Sequence, residues 1–251
     1  MKKGTALVGL LDAGKWSACF GLSYRDLCLY DAATSQRIVR PGGGEMRKIV
    51  GAMGVAAGRD AIARCFLDDH DAEWLWMVDT DMGFAPDTVD RLIESADPEL
   101  RPVMGGLCFA MKRAATGDFY AERMRIQPTL YDYVELEDEV GFRPILDYPR
   151  NQVMQVAGTG AACLLMHRTA LQKVRDRYGD VWFEPITHPT GNRGRPRVFS
   201  EDLSFCVRLA AVGLPVHVDT SVKTTHEKGA LFLDEETFDA QFKGGGSDGS
   251  R

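Results

Sequence analysis

Two aspartates, Asp79 and Asp81, stand one residue apart in EWLWMVDTDMGF (Glu73–Phe84), where a dense apolar run ends. On extended backbone, side chains two residues apart leave the same side, so the pair offers hard carboxylate oxygens to one point. Such oxygens suit Mg2+ or Mn2+, and an ion held there can bridge a diphosphate and neutralise charge as a phosphate leaves. A D-x-D triplet is also a common polar turn after a strand. The run ahead of it, ending in Met77–Val78, favours chemistry, because it reads as a buried strand. Open α/β sheets place their ligands at the carboxyl ends of such strands. The pair alone does not separate glycosyl transfer from phosphoryl or nucleotidyl transfer.

A second group lies further on. FSEDLSFCVRLAAVG (Phe199–Gly213) reads as a helix with Ser200 as N-cap, Gly213 past its end, and Glu201 and Asp202 in its first turn. Carboxylates there stabilise the positive helix end by about 0.3–1 kcal/mol. One of them could equally accept a proton from a hydroxyl. His226, in polar TTHEKG beyond a strand, is either a surface residue or a metal ligand through a neutral imidazole nitrogen.

Apolar runs alternate with helical patterns along the chain, which predicts an α/β sheet. TALVGLL (Thr5–Leu11), EWLWMV, PVMGGLCF, QVAGTGAACLLMHR and PVHVDTSV read as strands. KWSACFGLSYRDLCLY, APDTVDRLIESA and TALQKVRDRYG read as helices. MRKIVGAMGVAAGRDAIARCFLDDH reads as one long helix, with Gly54 or Gly58 as a break. PTLYDYVELEDEVGFRPILDY alternates and predicts a hairpin with an acidic turn, while THPTGNRGRPRVF reads as a polar loop.

The 251 residues suffice for one large domain, and a net charge of −6 gives no global attraction to nucleic acid or membrane. The six cysteines form no C-x-x-C pair and sit mostly in apolar stretches, as buried thiols of a reducing compartment do. The basic start of MKKGTALVGLLDAGKWSAC loosely suggests a signal peptide, but Asp12 and Lys15 interrupt the apolar run, so a first core strand is expected. No run approaches the roughly 18–20 apolar residues of a membrane span.

The order of D-x-D strand, Gly-rich strand GTGAACLL, helix EDLSFCVRLAAVG, strand and His226 resembles the GT-A glycosyltransferases, from about Thr5 to Lys228. The likeness is strongest at Val78–Met82 and Ser200–Gly213, vague between Lys112 and Asn151, and nearest to small stand-alone phage-encoded members. It implies a single GT-A (Rossmann-like) domain over 1–243, with a mostly parallel central sheet, flanking helices and a β-hairpin insertion at 110–150. Residues 244–251 read as a flexible tail.

The resemblance further implies a UDP-sugar donor and a divalent metal, Mn2+ or Mg2+. Asp79 would sit near the ribose or metal, Asp81 would be the main metal carboxylate, and His226 a further ligand. Arg59 and Asp60, on the helix before the D-x-D strand, would contact the nucleotide or donor sugar; Asn is also common at the second position. Asp202, or else Glu201, would be the catalytic base. Gly158, Thr159 and Gly160 would let backbone approach the acceptor or donor sugar, and Lys228 would meet the diphosphate. Retaining members also carry acidic residues nearby, so the stereochemical outcome stays open. A cytoplasmic location, the host cytoplasm for a phage protein, is implied, with no obligate protein partner.

Two other classes compete. A nucleotidyltransferase would usually show a Gly-rich phosphate loop directly after the first strand. Here LLDAGKW follows, and PGGGEMRK comes later, as a turn or an anion nest. A binding module without catalysis is the non-enzymatic alternative. For the acceptor, Arg193, Arg195 and Arg197 form either a solvated basic loop or one that tracks phosphates beside the base. Lys112, Arg113, Arg123 and Arg125 lie in another expected loop. The leading expectation is a hydroxymethylated pyrimidine in DNA, which in a duplex requires flipping or local opening. Protein or glycan acceptors are the alternatives.

Overall fold

The computed structural model describes residues 2–12, 14–38, 46–50, 54–113, 124–136 and 139–243. The first half of the chain runs β1 (Lys2–Asp12), α1 (Ala18–Ala33), β2 (Met46–Val50), α2 (Val55–Asp69), β3 (Ala72–Asp79), β4 (Met82–Phe84), α3 (Thr88–Ser95), β5 (Val103–Leu107), β6 (Phe109–Arg113) and β7 (Met124–Pro128). The second half runs β8 (Leu130–Leu136), β9 (Glu139–Pro144), β10 (Val153–Val156), β11 (Gly158–Thr159), β12 (Cys163–His167), α4 (Arg168–Tyr178), β13 (Thr187–Asn192), β14 (Arg195–Val198), α5 (Glu201–Ala211), β15 (Val216–Lys228), β16 (Leu231–Leu233) and α6 (Glu235–Lys243).

The fold is α/β, as the alternating pattern predicts. Its main sheet has the order β10-β15-β5-β12-β3-β1-β2, with β4 and β16 also paired to β15. The sheet is mixed rather than mostly parallel. The β1–β2, β1–β3 and β5–β15 ladders are parallel, whereas β12 runs antiparallel to both its neighbours, β3 and β5, and β10 is antiparallel to β15. The run Ala72–Val78 is buried throughout because both faces of β3 are covered. Trp74, Trp76 and Val78 pack with Phe20 and Leu27 of α1 and Leu92 of α3. Leu75 and Met77 face the other way, among Ile62 and Phe66 of α2, Leu171 of α4 and Phe205 of α5. This two-sided burial is why the strand reads as a continuous apolar stretch rather than an alternating one.

Three local expectations change. The expected long helix from Met46 is a strand followed by a helix: β2 pairs in parallel with β1 from Val8↔Met46 to Asp12↔Val50, and α2 starts only after Gly54, whose φ of 82° lies in the left-handed region. Pairing with β1 outweighs the weak helical period of MRKIV. The polar loop THPTGNRGRPRVF is the hairpin β13–β14, turned at Arg193 (φ 49°) and Gly194 (φ 76°). The last strand runs past Val222 to Lys228 and so includes His226.

The expected hairpin is present as β8–β9, in register from Tyr131↔Pro144 to Leu136↔Glu139. It belongs to a separate five-stranded sheet ordered β11-β8-β9-β13-β14, in which it pairs with strands from beyond residue 150. At the N-terminus, β1 is an inner strand of the main sheet, as the core-strand reading expects. The Gly-rich run at 41–45 and the tail 244–251 lie outside the described residues. All six cysteines are free thiols, and Cys108, Cys163 and Cys206 are buried. Among the described residues, no helix is long and apolar enough to cross a membrane.

Candidate active site

β1 is followed by β2 on one side and, after α2, by β3 on the other, with α1 and α2 on opposite faces. This reversal of winding opens a crevice at the carboxyl ends of β1 and β3, the usual ligand position in such sheets. A cavity of about 680 Å3 lies there, lined among others by Asp12, Lys15, Trp16, Arg59, Asp79, Asp81 and Glu201. Both aspartates of the D-x-D reach it, but each is held differently.

Asp79 ends β3 and takes a charged hydrogen bond from Arg59, Nη2 to Oδ1 at 2.9 Å. Arg59 Nη1 donates to Glu201 Oε1 at 2.8 Å. The Arg59 side chain is only 5% exposed and its guanidinium lies 5.8 Å over the Phe183 ring. Burial works against its charge, but Asp79, Glu201 and Asp202 more than offset that and hold the cation firmly protonated. Arg59 thus ties the first turn of α5 to the tip of β3. Arg59→Met would leave both carboxylates facing each other. Breaking a buried pair costs about 3–5 kcal/mol, and the low end, about 3 kcal/mol, is expected because Asp79 and Glu201 keep 32% and 27% exposure. Chemical denaturation checks this; a loss below about 1 kcal/mol would show that the tie is not structural.

Asp81 follows the turn and is brought to His226 by the short β4–β15 ladder, which pairs His226 with Met82. Asp81 Oδ1 is 3.2 Å from His226 Nε2, and Lys228 Nζ donates to Oδ2 at 2.6 Å. Burial alone would raise the Asp81 carboxyl; His226 and Lys228 outweigh it and bring it to about 2. His226 Nδ1 sits 3.0 Å from the Phe109 carbonyl oxygen, which can only accept, so that nitrogen carries the proton. The ring's other nitrogen, Nε2, faces the Asp81 carboxylate: protonated, it donates to Asp81 as an ion pair, and deprotonated, it turns a lone pair toward the same oxygen. Either a proton on Nε2 or a bound cation joins the two groups. Adjacent ligands of an octahedral ion with bonds near 2.1 Å lie about 3 Å apart, close to the observed spacing. Asp81 and His226 are thus spaced as two ligands of one divalent ion would be, and among the described residues no cluster of three or more His, Cys, Asp or Glu ligands exists. Asp79 reaches the same cavity with one oxygen engaged by Arg59.

Asp202 lies beside the cavity rather than in its lining. Its Oδ1 accepts from the Leu203 N–H at 2.8 Å and from the Ser200 hydroxyl in a close contact. Ser200 therefore serves the carboxylate and not, as an N-cap side chain would, the helix backbone. Oδ2 faces Gly160, where an added Cβ would sit 3.6 Å from it and 3.6 Å from Thr129. Burial and the Asp202 charge push the Tyr131 phenol up to about 12. Glu201, by contrast, is committed to Arg59.

Other expected site residues are placed elsewhere. Asp60 Oδ1 accepts the backbone N–H groups of Trp182 (2.9 Å) and Phe183 (2.7 Å), so it fixes the ring against which Arg59 lies and does not line the cavity. Gly158 is a packing glycine: a Cβ there would meet Phe142 at 2.7 Å and Leu203 at 2.8 Å. Thr159 is buried, with its carbonyl facing the Cys206 thiol. Arg193 and Arg195 are exposed on the β13–β14 hairpin. Arg197 is not free to track a backbone, since its guanidinium covers Gly141 and lies 3.6 Å from Glu139. Lys112 and Arg125 face each other across the β6–β7 ladder, while Arg123 lies outside the described residues.

Sequence reading missed the loop after β1. Lys15, Trp16 and Ser17 line the cavity, and the Ser17 N–H is anchored on the Thr80 carbonyl at 3.0 Å. Trp16 is 40% exposed and stands edge-on to Phe20. The available signal was position: the segment directly follows the first strand of an α/β sheet. Tyr131 carried no such signal.

No family and no curated protein sequence matches this chain. Among solved structures it is similar to the crystal structure of A197 from STIV, with a TM-score of 0.53 and 16% identity over 93% of this chain and 91% of that chain. At that identity the likeness concerns the fold, and it extends over nearly the whole of both chains.

Proposed function

We propose that the protein is a metal-dependent glycosyltransferase of the GT-A type, moving a sugar from a UDP-sugar to an acceptor hydroxyl. The observation that carries the reading is the carboxylate pair Asp79 and Asp81 in a cavity at the carboxyl ends of β1 and β3, with His226 and Lys228 on Asp81 and Arg59 on Asp79. Asp81 and His226 would hold the divalent ion, which when bound would neutralise charge on a leaving diphosphate. Lys228 adds a cation on the same side, and Trp16 gives an exposed ring for a nucleobase.

In the transfer, Asp202 Oδ2 takes the proton of the acceptor hydroxyl. The acceptor oxygen bonds to the anomeric carbon as the bond from that carbon to the phosphate oxygen breaks, and the electron pair leaves with the diphosphate. Glu201 does not compete for the proton, because Arg59 holds it as a positioning carboxylate. Incubation with a panel of UDP-sugars and Mn2+ tests the reading. UDP release abolished by EDTA is expected; release of pyrophosphate would instead make it a nucleotidyltransferase, and turnover in neither assay would leave a binding module.

The acceptor best supported is a hydroxymethylated pyrimidine in DNA, with protein or glycan as the rival. The support is the exposed Arg193–Arg195 pair on a hairpin of the same sheet as Tyr131, together with the Lys112–Arg125 rung. Because Arg197 is held by Gly141 and Glu139, Arg193→Ser with Arg195→Ser should flatten the log–log salt dependence of DNA binding by about two, at roughly 0.9 per phosphate. Adding Arg197→Ser should change it little further. A salt-independent interaction would remove DNA as the acceptor and leave the donor chemistry standing.

A further inference from the structure

A second cavity, of about 340 Å3, lies behind α5 and shares no lining residue with the first. Its floor is Leu214–Val216, at the start of β15. Since β15 runs in the same direction as β3, this is the opposite end of the sheet from Asp79. Tyr133 and Phe142 of the second sheet form one wall, with ring centroids 5.4 Å apart at 71°. Cys206 and Ala210 of α5 form the other wall. The proposed transfer uses none of these side chains.

The lining states the chemistry of an occupant. No charged side chain borders the space, and Gln155 is its one side-chain amide. An ionised ligand would lose hydration there with nothing to replace it. A closed apolar cavity of about 150 Å3 takes up benzene; this one is roughly twice that size and opens to solvent past Tyr133 and Ala210. The two aromatic rings meet edge to face and make a corner against which a flat ring can pack.

We infer that this cavity binds a small, neutral, mostly apolar molecule of two-ring size, with Gln155 meeting its one polar group. The site also has a route to the carboxylates. Cys206 and Ala210 follow Asp202 by four and eight residues, on one stripe of α5, so the cavity touches the helix about 6–12 Å from the proposed base. The inference does not depend on the glycosyltransferase reading.

The test uses the full chain and the neutral fluorophore N-phenyl-1-naphthylamine. Saturable binding at one site per chain is expected, displaced by neutral two-ring compounds and not by 1-naphthoate. Ala210 is exposed at the rim, so Ala210→Trp should fold and fill the space, weakening the probe at least tenfold with an unchanged circular dichroism spectrum. Tyr133→Ala, also at an exposed position, removes a wall and should weaken it similarly; it decides the matter if the tryptophan variant misfolds. Binding that does not saturate, that naphthoate displaces equally well, or that survives in a folded variant would overturn the site. Because probe binding is read without donor or metal, failure here is separate from failure of UDP release.

Discussion

Asp81→Ala is expected to lower metal-dependent UDP release by at least about 10²–10³-fold, the scale of losing one group that stabilises charge in a transition state. The side chain is 32% exposed and contributes no core volume, so thermal unfolding should shift little. The change leaves His226 and Lys228 without their shared anion, but Lys228 is 51% exposed and can turn to water. His226→Ala should have a milder effect, seen as a higher Mn2+ requirement with turnover recoverable at saturating metal, because one ligand of several is lost. An Asp81→Ala protein that keeps full activity in EDTA would refute the metal assignment. It would also make the Asp81–His226–Lys228 contact a purely structural cluster.

Asp202→Asn should reduce turnover by about 10²–10⁴-fold, the usual worth of a general base. The apparent affinity for the donor should barely move, since the loss falls on proton transfer rather than on ground-state binding. Asparagine keeps an oxygen for the Leu203 N–H and the Ser200 hydroxyl, so the start of α5 stays in place. Glu201→Gln is the informative companion. It weakens the hold on Arg59 and is expected to lower stability and donor binding more than the rate at saturation. The opposite pattern, with Asp202→Asn active and Glu201→Gln inactive, would exchange the two roles. Activity in both variants would leave the pair serving only the helix end.

What the sequence by itself determined is local. The strand before Asp79 is legible because burial on both faces demands an unbroken apolar run, and Trp74–Val78 supplies it on one side and Leu75–Met77 on the other. The start and end of α5 are legible because Ser200 and Gly213 are residues that helix ends favour, and Gly213 has a φ of 72°. The tertiary structure decided whatever depends on partners far along the chain. MRKIV is a strand because β1 offers a ladder, which no local period encodes. His226 reaches Asp81 only through the register of β4 on β15, 142 residues after Phe84 in the case of its own position and fixed by backbone pairing rather than by side-chain type.

 Asp60 and Asp202 are both acidic residues at the start of, or within, a helix, yet one holds the backbone of Trp182–Phe183 and the other faces Gly160. Residue type does not tell them apart. The surrounding elements did so, because a carboxylate's role is set by the donors that reach it, and here those donors come from more than 100 residues away for Asp60 and from its own helix turn for Asp202.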